Sequence, residues 1–316
     1  MSSDFDVVVL GAAAVDMVAR VDRLPDVDEI VFAREYIRHA GGSGANTAVA
    51  LARLGRAVSF LGKVGDDESG EWLRKNLSAA GVDTQAVLSV AGGKSASCFI
   101  ALDAHGNRVI FALGGSALIE SVDELDLARV TASRALCIGD AYLPVAAAAA
   151  EAARRSDTAV FFVPGGLMVT NGLDELSPIL QNTSVLVVSS NESSTLTGDC
   201  SPNEAVRRLR ETGPEIVVVT LEADGAILAS NDVLETIPAF DAAVIDTTGA
   251  GDAFAAGLMH AFLDGRTWRE AAKTGCAVAA IKIGHVGATG GLPDRLELVR
   301  FIDVVQKSSR NVKREV

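Results

Sequence analysis

Asp246-Thr-Thr-Gly-Ala-Gly-Asp252 is the stretch of this sequence that decides the fold, because a glycine-rich turn here runs directly into an apolar helical segment. Leu258, Ala261 and Phe262 follow at the spacing of one helical stripe. The pattern predicts a buried helix over Gly251–Leu263 whose amino end is opened by glycines. A glycine-rich turn at a helix amino end is typical of a site that binds anions.

The same stretch carries the first candidate for catalysis. Gly249, Ala250 and Gly251 are predicted to present unpaired backbone N–H groups that stabilise negative charge on a transferring phosphoryl group. Asp252 then lies in the first helical turn, where its carboxylate can accept the proton of an attacking hydroxyl. An aspartate also occurs at this position simply because it suits the helix dipole. The whole segment favours the catalytic interpretation.

A second glycine-rich segment, Gly41-Gly-Ser-Gly-Ala-Asn46, precedes another helical pattern and predicts a substrate site. Gly41 and Gly42 would let a ligand approach the backbone closely, and the amide of Asn46 can both donate to and accept from neighbouring hydroxyls. The alternative is that Ser43 or Asn46 only caps the helix. Asp16, soon after the first strand, is a further candidate for reading two adjacent hydroxyls, although a single aspartate is more often a surface residue.

Around these segments, short β-branched runs alternate with longer amphipathic ones, which predicts an α/β fold with helices on both faces of a mostly parallel sheet. The predicted strands are Val7–Leu10, Val58–Leu61, Ala135–Ile138, Ala159–Val163, Val185–Val188 and Ile216–Leu221. The predicted helices are Ala45–Leu54, Glu68–Ala80, Val145–Arg155, Glu204–Thr212, Gly251–Leu263 and Trp268–Ile283. Residues 14–40 and 97–113 break this rhythm, and we expect them to form a small separate sheet that serves as a lid.

Composition limits the function classes. The chain has 316 residues, of which 49% are hydrophobic, so it can bury a large core. A net charge of −13 argues against nucleic-acid binding. The amino terminus has no basic segment followed by a long apolar run, and the four cysteines form no C-x-x-C pair, so we expect a cytoplasmic protein that binds no membrane. No P-loop and no dinucleotide fingerprint is present, which makes a nicotinamide-dependent oxidoreductase a remote alternative.

Together these motifs resemble the ribokinase-like carbohydrate kinase family, also called the PfkB family, over nearly the whole chain. Phe60-Leu-Gly-Lys-Val-Gly-Asp-Asp-Glu-Ser-Gly70 is similar to a third segment of that family. The resemblance implies a single kinase domain over residues 1–316, with a three-layer α/β/α fold and a β-sheet lid through which a homodimer forms. It also implies transfer of a phosphoryl group from ATP, with Mg²⁺, to a small-molecule sugar or nucleoside.

The resemblance further assigns roles by position. Asp252 is the base, Gly249 to Gly251 form the anion hole, and the sugar ligands are Asp16, Gly41, Gly42 and Asn46. Nucleotide contacts fall on Asn191, Thr220 and Gly225. In family members that require potassium, the ion lies beside the anion hole, and the matching positions here are Asp246, Thr248 and Gly287.

Three positions depart from the family pattern. Ser194 replaces the acidic residue of the Asn-x-x-Glu motif that begins at Asn191, and Glu222 replaces a glycine of the nucleotide segment. Ser43 stands where ribokinases typically have a lysine, which disfavours ribose itself. These departures leave open a catalytically impaired binding or regulatory protein as the alternative to an active kinase. Among active kinases, nucleoside kinase, ribokinase, fructokinase and keto-deoxy sugar acid kinase all remain, with a slight preference for furanose-bearing substrates.

Overall fold

The computed structural model describes residues 5–105, 107–231 and 233–312, so Gly106 in the predicted 104–107 turn lies outside the described residues. The strands are β1 Phe5–Leu10, β2 Ala14–Arg20, β3 Glu35–Gly41, β4 Val58–Gly65, β5 Val82–Asp83, β6 Val87–Val90, β7 Ser97–Leu102, β8 Arg108–Ala112, β9 Ser133–Ile138, β10 Ala159–Phe162, β11 Val185–Ser189, β12 Ile216–Thr220, β13 Ala226–Ala229 and β14 Leu234–Ile237. The helices are α1 Ser43–Arg53, α2 Glu68–Ala79, α3 Leu127–Thr131, α4 Leu143–Arg155, α5 Gly166–Val169, α6 Gly172–Leu180, α7 Ser190–Thr197, α8 Pro202–Glu211, α9 Ala250–Leu263, α10 Trp268–Ile283 and α11 Arg295–Val312.

The larger sheet has ten strands within the described residues, and nine of them follow the order β14-β13-β12-β11-β10-β9-β1-β4-β5, with β6 paired to β4. β1 lies at its centre and pairs in parallel with β4 and with β9. The antiparallel pairs lie at one edge, where β13 joins β12 and β14 joins β13. The sheet is therefore mostly parallel, as the alternation of strand and helix patterns predicts.

Side chains of β1 alternate between two apolar cores, one on each face of the larger sheet. Val7 and Val9 pack in the core that contains the buried faces of α1, α9 and α10, whereas Val8 and Leu10 pack against α4, α6 and α8. Burial on both faces explains why the strand reads as a continuous β-branched run. The predicted three-layer α/β/α architecture is confirmed.

A separate four-stranded sheet has the order β3-β2-β7-β8. β2 and β7 are parallel, whereas β2–β3 and β7–β8 are antiparallel. Only residues 11–13 separate the end of β1 from the start of β2, so the small sheet begins at the carboxyl edge of the larger one. The expected small sheet from residues 14–40 and 97–113 is thus present. Among the described helices, none is both long and apolar enough to cross a lipid bilayer.

Candidate active site

The amino end of α9 is built by a glycine in a conformation that other residues disfavour. Gly249 is the N-cap with φ 79°, in the left-handed region. A Cβ at this position would also lie 2.5 Å from the backbone oxygen of Ala288. Both constraints hold the turn against the 286–288 loop and fix where the first turn of α9 presents Asp252.

Two side chains from the first turn of α1 hold the carboxylate of Asp252. The Ser43 hydroxyl donates to Oδ1 at 2.6 Å, and the Asn46 amide Nδ2 donates to Oδ2 at 2.8 Å. Gly42 is the N-cap of α1, which has no side-chain cap hydrogen bond. The helix-capping alternative for Ser43 and Asn46 is therefore wrong, and these side chains join the two glycine-rich segments into one site.

Electrostatics set the protonation of Asp252. The pKa of its carboxyl group is raised to about 6: burial raises it most, the negative charges of Asp140 and Glu192 add to the rise, and the hydrogen bonds from Ser43 and Asn46 oppose it. The group is therefore ionised at neutral pH yet basic enough to accept a proton.

The predicted anion hole needs one correction. The N–H of Ala250 donates to the backbone oxygen of Thr247 at 3.1 Å, because residues 247–250 close a turn before α9 begins. Ala250 is thus not a free donor in this structure. Along the part of the chain that is described, the N–H groups of Gly249 and Gly251 have no acceptor. Gly251 is exposed, and a Cβ there would meet nothing within 4 Å, which leaves room for an anion.

Asp16 and Gly41 meet across the small sheet. A Cβ on Gly41 would lie 2.1 Å from Oδ2 of Asp16, so only glycine leaves this carboxylate in place. Burial raises the pKa of Asp16, and the adjacent His39, its cross-strand partner, lowers it. Asn46 is 6% exposed, and its Oδ1 atom has no hydrogen-bond partner among the described residues. An unpaired buried acceptor is costly, which indicates that a ligand donor belongs there.

A cavity of about 1050 Å³ lies between the small sheet and the segments 244–248 and 286–288. Asp16, His39, Asp246, Thr248 and Gly287 contribute to its lining, whereas Asp252 does not. His39 was not among the predicted site residues, because a single histidine in an extended run carries no signal of its own. Its place opposite Asp16 follows only from the pairing of β2 with β3.

The predicted nucleotide residues lie after two adjacent strands. Thr220 ends β12 opposite Ser189 of β11, and Asn191 is exposed in the first turn of α7. Gly225 closes the turn that follows β12, where a Cβ would lie 2.0 Å from the backbone oxygen of Ile237. The carboxyl ends of these strands therefore bring the three predicted residues to one edge of the sheet.

The two departures in the nucleotide segments have structural counterparts. Glu222 is exposed and adopts φ 53°, a left-handed conformation that favours glycine. Ser194 is exposed on α7. Glu192, which could have replaced the missing acid, accepts the N–H of Ser189 at 2.7 Å and closes the capping box of its own helix.

The three predicted potassium ligands come together around the carboxylate of Asp246. The carboxylate of Asp246 accepts the N–H of Thr248 at 2.9 Å and the N–H of Gly287 at 2.8 Å. Its backbone oxygen accepts a hydrogen bond from the ammonium group of Lys282 at 2.8 Å. The ammonium group of Lys282 therefore already uses the backbone oxygen of Asp246, one of the three positions that the family pattern assigns to potassium.

Lys282 was missed in the sequence, although a signal existed. It falls on the same helical face as the buried residues Gly275 and Val278. A lone lysine on an apolar helical face is unusual, because lysine is almost never fully buried without a partner. Lys282 is 0% exposed.

Comparisons with known proteins identify the family of this chain. The model of the pfkB family carbohydrate kinases matches residues 4–295. A nucleoside kinase of Methanothermobacter thermautotrophicus is 27% identical over 95% of this chain and 96% of its own length. An ATP-dependent ribose-1-phosphate kinase of Halopiger xanaduensis is 32% identical, over 86% of this chain and 90% of its own. The structure of Arabidopsis thaliana ribokinase with ribose and ATP superposes with a TM-score of 0.84 at 27% identity, over 93% of this chain and 97% of that one.

Proposed function

Because this chain belongs to the pfkB family of carbohydrate kinases, we propose that it transfers the γ-phosphoryl group of ATP to a primary hydroxyl of a sugar or nucleoside, with Asp252 as the base. The observation that carries the proposal is the carboxylate of Asp252, held between Ser43 and Asn46 at the amino end of α9. The family establishes that this chain is a kinase of sugars or nucleosides, and none of the comparisons supports the alternative of a regulatory protein. The acceptor, the base and the metal are proposed here.

Asp252 has the capacity for the proton transfer. A carboxylate has about four acceptor positions, and Ser43 and Asn46 use two of them. The acceptor hydroxyl would donate to a remaining lone pair as its oxygen forms the bond to the γ-phosphorus and the bond to the ADP oxygen breaks. The free N–H groups of Gly249 and Gly251, with the dipole of α9, would stabilise the charge on the transferring group.

The acceptor would be held by groups that recognise vicinal hydroxyls. Asp16 offers carboxylate oxygens, and the unpaired Oδ1 of Asn46 offers a buried acceptor. Gly41 leaves room for the Asp16 carboxylate, and Gly42 lets the start of α1 pack against the backbone of Ala12. Cavities for small ligands span about 300–1,000 Å³, so the cavity of about 1050 Å³ can admit a nucleoside as well as a free pentose.

The nucleotide would bind along the carboxyl edge near Asn191, Thr220 and Gly225. Magnesium would arrive with its phosphates and neutralise their charge. The negative charges of Asp140 and Glu192, which raise the pKa of Asp252, would attract a divalent cation that arrives with the nucleotide. The small sheet would close over the acceptor as a lid and exclude water.

We also propose a single kinase domain over residues 1–316, a homodimer formed through the small sheet, and a cytoplasmic location. Val109, Ile110 and Phe111 on the edge strand β8 are between 40% and 55% exposed. Exposed apolar edge strands favour pairing with a second chain. The four free cysteines fit a reducing compartment.

The proposal is tested by coupled ADP release from Mg-ATP against a panel of pentoses, hexoses, ribose phosphates, keto-deoxy acids and nucleosides. Each assay contains both potassium and sodium. One acceptor class should give strong ADP release, and ³¹P NMR of the product should show a new phosphomonoester on a primary carbon. Absence of acceptor-dependent ADP release across the panel would contradict the proposed activity.

A further inference from the structure

Lys282 places a full positive charge inside the protein, near the end of α10. Its side chain is 0% exposed. The ammonium group donates to the backbone oxygen of Asp246 at 2.8 Å and lies 3.5 Å from the backbone oxygen of His285. Among the described residues, no carboxylate lies within 4.0 Å of it. Backbone carbonyls thus solvate this charge, as they solvate a bare monovalent cation in a protein.

The position of this charge links the two segments that support the anion site. One segment begins at Asp246 and leads through Gly249 to α9. The other is the 285–288 loop, in which Gly287 donates to the carboxylate of Asp246 and Ala288 packs against Gly249. A cation bonded to carbonyls on both segments holds them together. The amino end of α9, and with it Asp252, is thereby preset.

The charge also belongs to the electrostatics of the site. Burial lowers the pKa of Lys282, and the negative charges of Asp246 and Asp252 oppose that effect. A second cation beside the ammonium group would be repelled by it and would find the Asp246 carbonyl already in use. Of the three residues that the family pattern assigns to potassium, Asp246 therefore binds a different cation here, and Thr248 and Gly287 donate to its carboxylate.

We propose that the ammonium group of Lys282 is a built-in substitute for a monovalent cation, so that this kinase positions its anion site without potassium. The inference rests on the proposed phosphoryl transfer. Lys282 acts through Asp246 and the 285–288 loop, so it is a positioning residue and does not contact the substrate.

The test compares wild type, Lys282→Ala and Lys282→Met, with Lys273→Met as the matched control on the exposed face of the same helix. Kinase rates are measured at constant ionic strength in choline chloride, sodium chloride and potassium chloride. The wild-type rate should differ by less than about twofold among the salts, whereas Lys282→Ala should lose about tenfold or more in choline and recover in potassium or methylammonium. Lys273→Met should behave as wild type in every salt.

A second readout does not depend on activity. Without substrates, potassium should raise the melting temperature of Lys282→Ala by about 2 °C relative to choline and leave that of wild type unchanged. The inference is overturned if the wild-type enzyme needs potassium for activity. It is also overturned if Lys282→Ala folds but neither loses activity in choline chloride nor responds to potassium. If Lys282→Ala does not fold, the same measurements on Lys282→Met, together with the salt response of wild type, test the inference. If no acceptor gives ADP release but potassium still raises the melting temperature of Lys282→Ala and not that of wild type, the proposed function is refuted and the inference about Lys282 stands.

Discussion

At the scale of single residues, two neighbours control the charge on Asp252. Because its pKa is about 6, the ionised fraction and hence kcat should fall as the pH drops below about 6 and should level off above pH 7. Ser43→Ala removes a donor to the ionised carboxylate, so the acid limb should move upward by about one pH unit. The measurement is kcat against pH at saturating substrates.

Ser78→Ala, on the exposed side of α2, is the matched control and should keep the wild-type profile. If the pH profile of Ser43→Ala coincides with that of wild type, the acid limb does not report the ionisation of Asp252.

Glu222 has a strained backbone and places a negative charge in the segment predicted to bind the phosphates of the nucleotide. At φ 53° a residue with a Cβ is strained by roughly 1–2 kcal/mol, so Glu222→Gly should raise the free energy of unfolding by about 1 kcal/mol. It should also lower the KM for ATP, because a carboxylate is removed from the phosphate segment. Urea unfolding and initial rates measure the two effects.

The Glu222→Gln variant distinguishes the effect of the charge from the effect of the backbone strain, since it removes the charge and keeps the strain. It should lower the KM for ATP and leave the free energy of unfolding unchanged. A higher KM for ATP in both variants would show that the carboxylate assists nucleotide binding.

Site residues were predictable where a motif encodes a local shape. Asp252, Gly249 and Asn46 follow from glycine-rich turns that open helices, and the structure brings them together. Lys282 was detectable as a lone lysine on an apolar helical face, but its partner Asp246 is distant in sequence and could not be assigned. His39 could not be assigned, because its partner Asp16 lies across a strand pairing. The bond from Ala250 to Thr247 was missed for a different reason, since it depends on how the turn closes.

At the scale of elements, α9 and α10 approach closely through glycines. A Cβ on Gly257 of α9 would lie 2.8 Å from Cγ2 of Val278 and 2.9 Å from the backbone oxygen of Thr274 on α10. Gly257→Ala should therefore reduce the free energy of unfolding by about 1–3 kcal/mol and lower kcat, because α9 carries Asp252. Thermal unfolding and kcat are the measurements.

Gly166→Ala is the control for this change, since a Cβ there meets nothing within 4 Å and the residue is exposed. It should leave both quantities unchanged. Gly257→Ala with wild-type stability would show that the helices can separate without cost.

The main strands were predictable because burial on both faces of the sheet requires continuous β-branched runs. The six helices were predictable because their buried faces form apolar stripes at helical spacing. Most ends shift by one or two residues, as for α1, which starts at Ser43 and not at Ala45, whereas β4 continues four residues beyond the predicted Leu61 to Gly65. The antiparallel pair β13 and β14 was missed, since four-residue strands carry little periodicity. The short helices α5 and α7 were also not predicted, because they depend on capping and tertiary packing more than on an apolar stripe.

At the scale of the whole molecule, the exposed face of the small sheet should form the contact between two chains. Phe111 is 55% exposed on the edge strand β8, so Phe111→Glu should place a charge in the interface and convert the dimer to a monomer. Light scattering on a sizing column gives the mass of each variant. Leu296→Glu on α11, where the leucine is 66% exposed, should remain a dimer. A monomeric wild type would contradict this assembly.

We propose that Asp252 accepts the proton during phosphoryl transfer, and the Asp252→Asn variant removes this base. Once an acceptor is known, kcat is measured for wild type and variant, together with the dissociation constant of the acceptor by calorimetry. The kcat of Asp252→Asn should fall by about 10²–10⁴-fold while acceptor binding changes by less than about threefold, because a general base acts in the transition state. A variant with kcat within about tenfold of wild type and unchanged acceptor binding would contradict the claim.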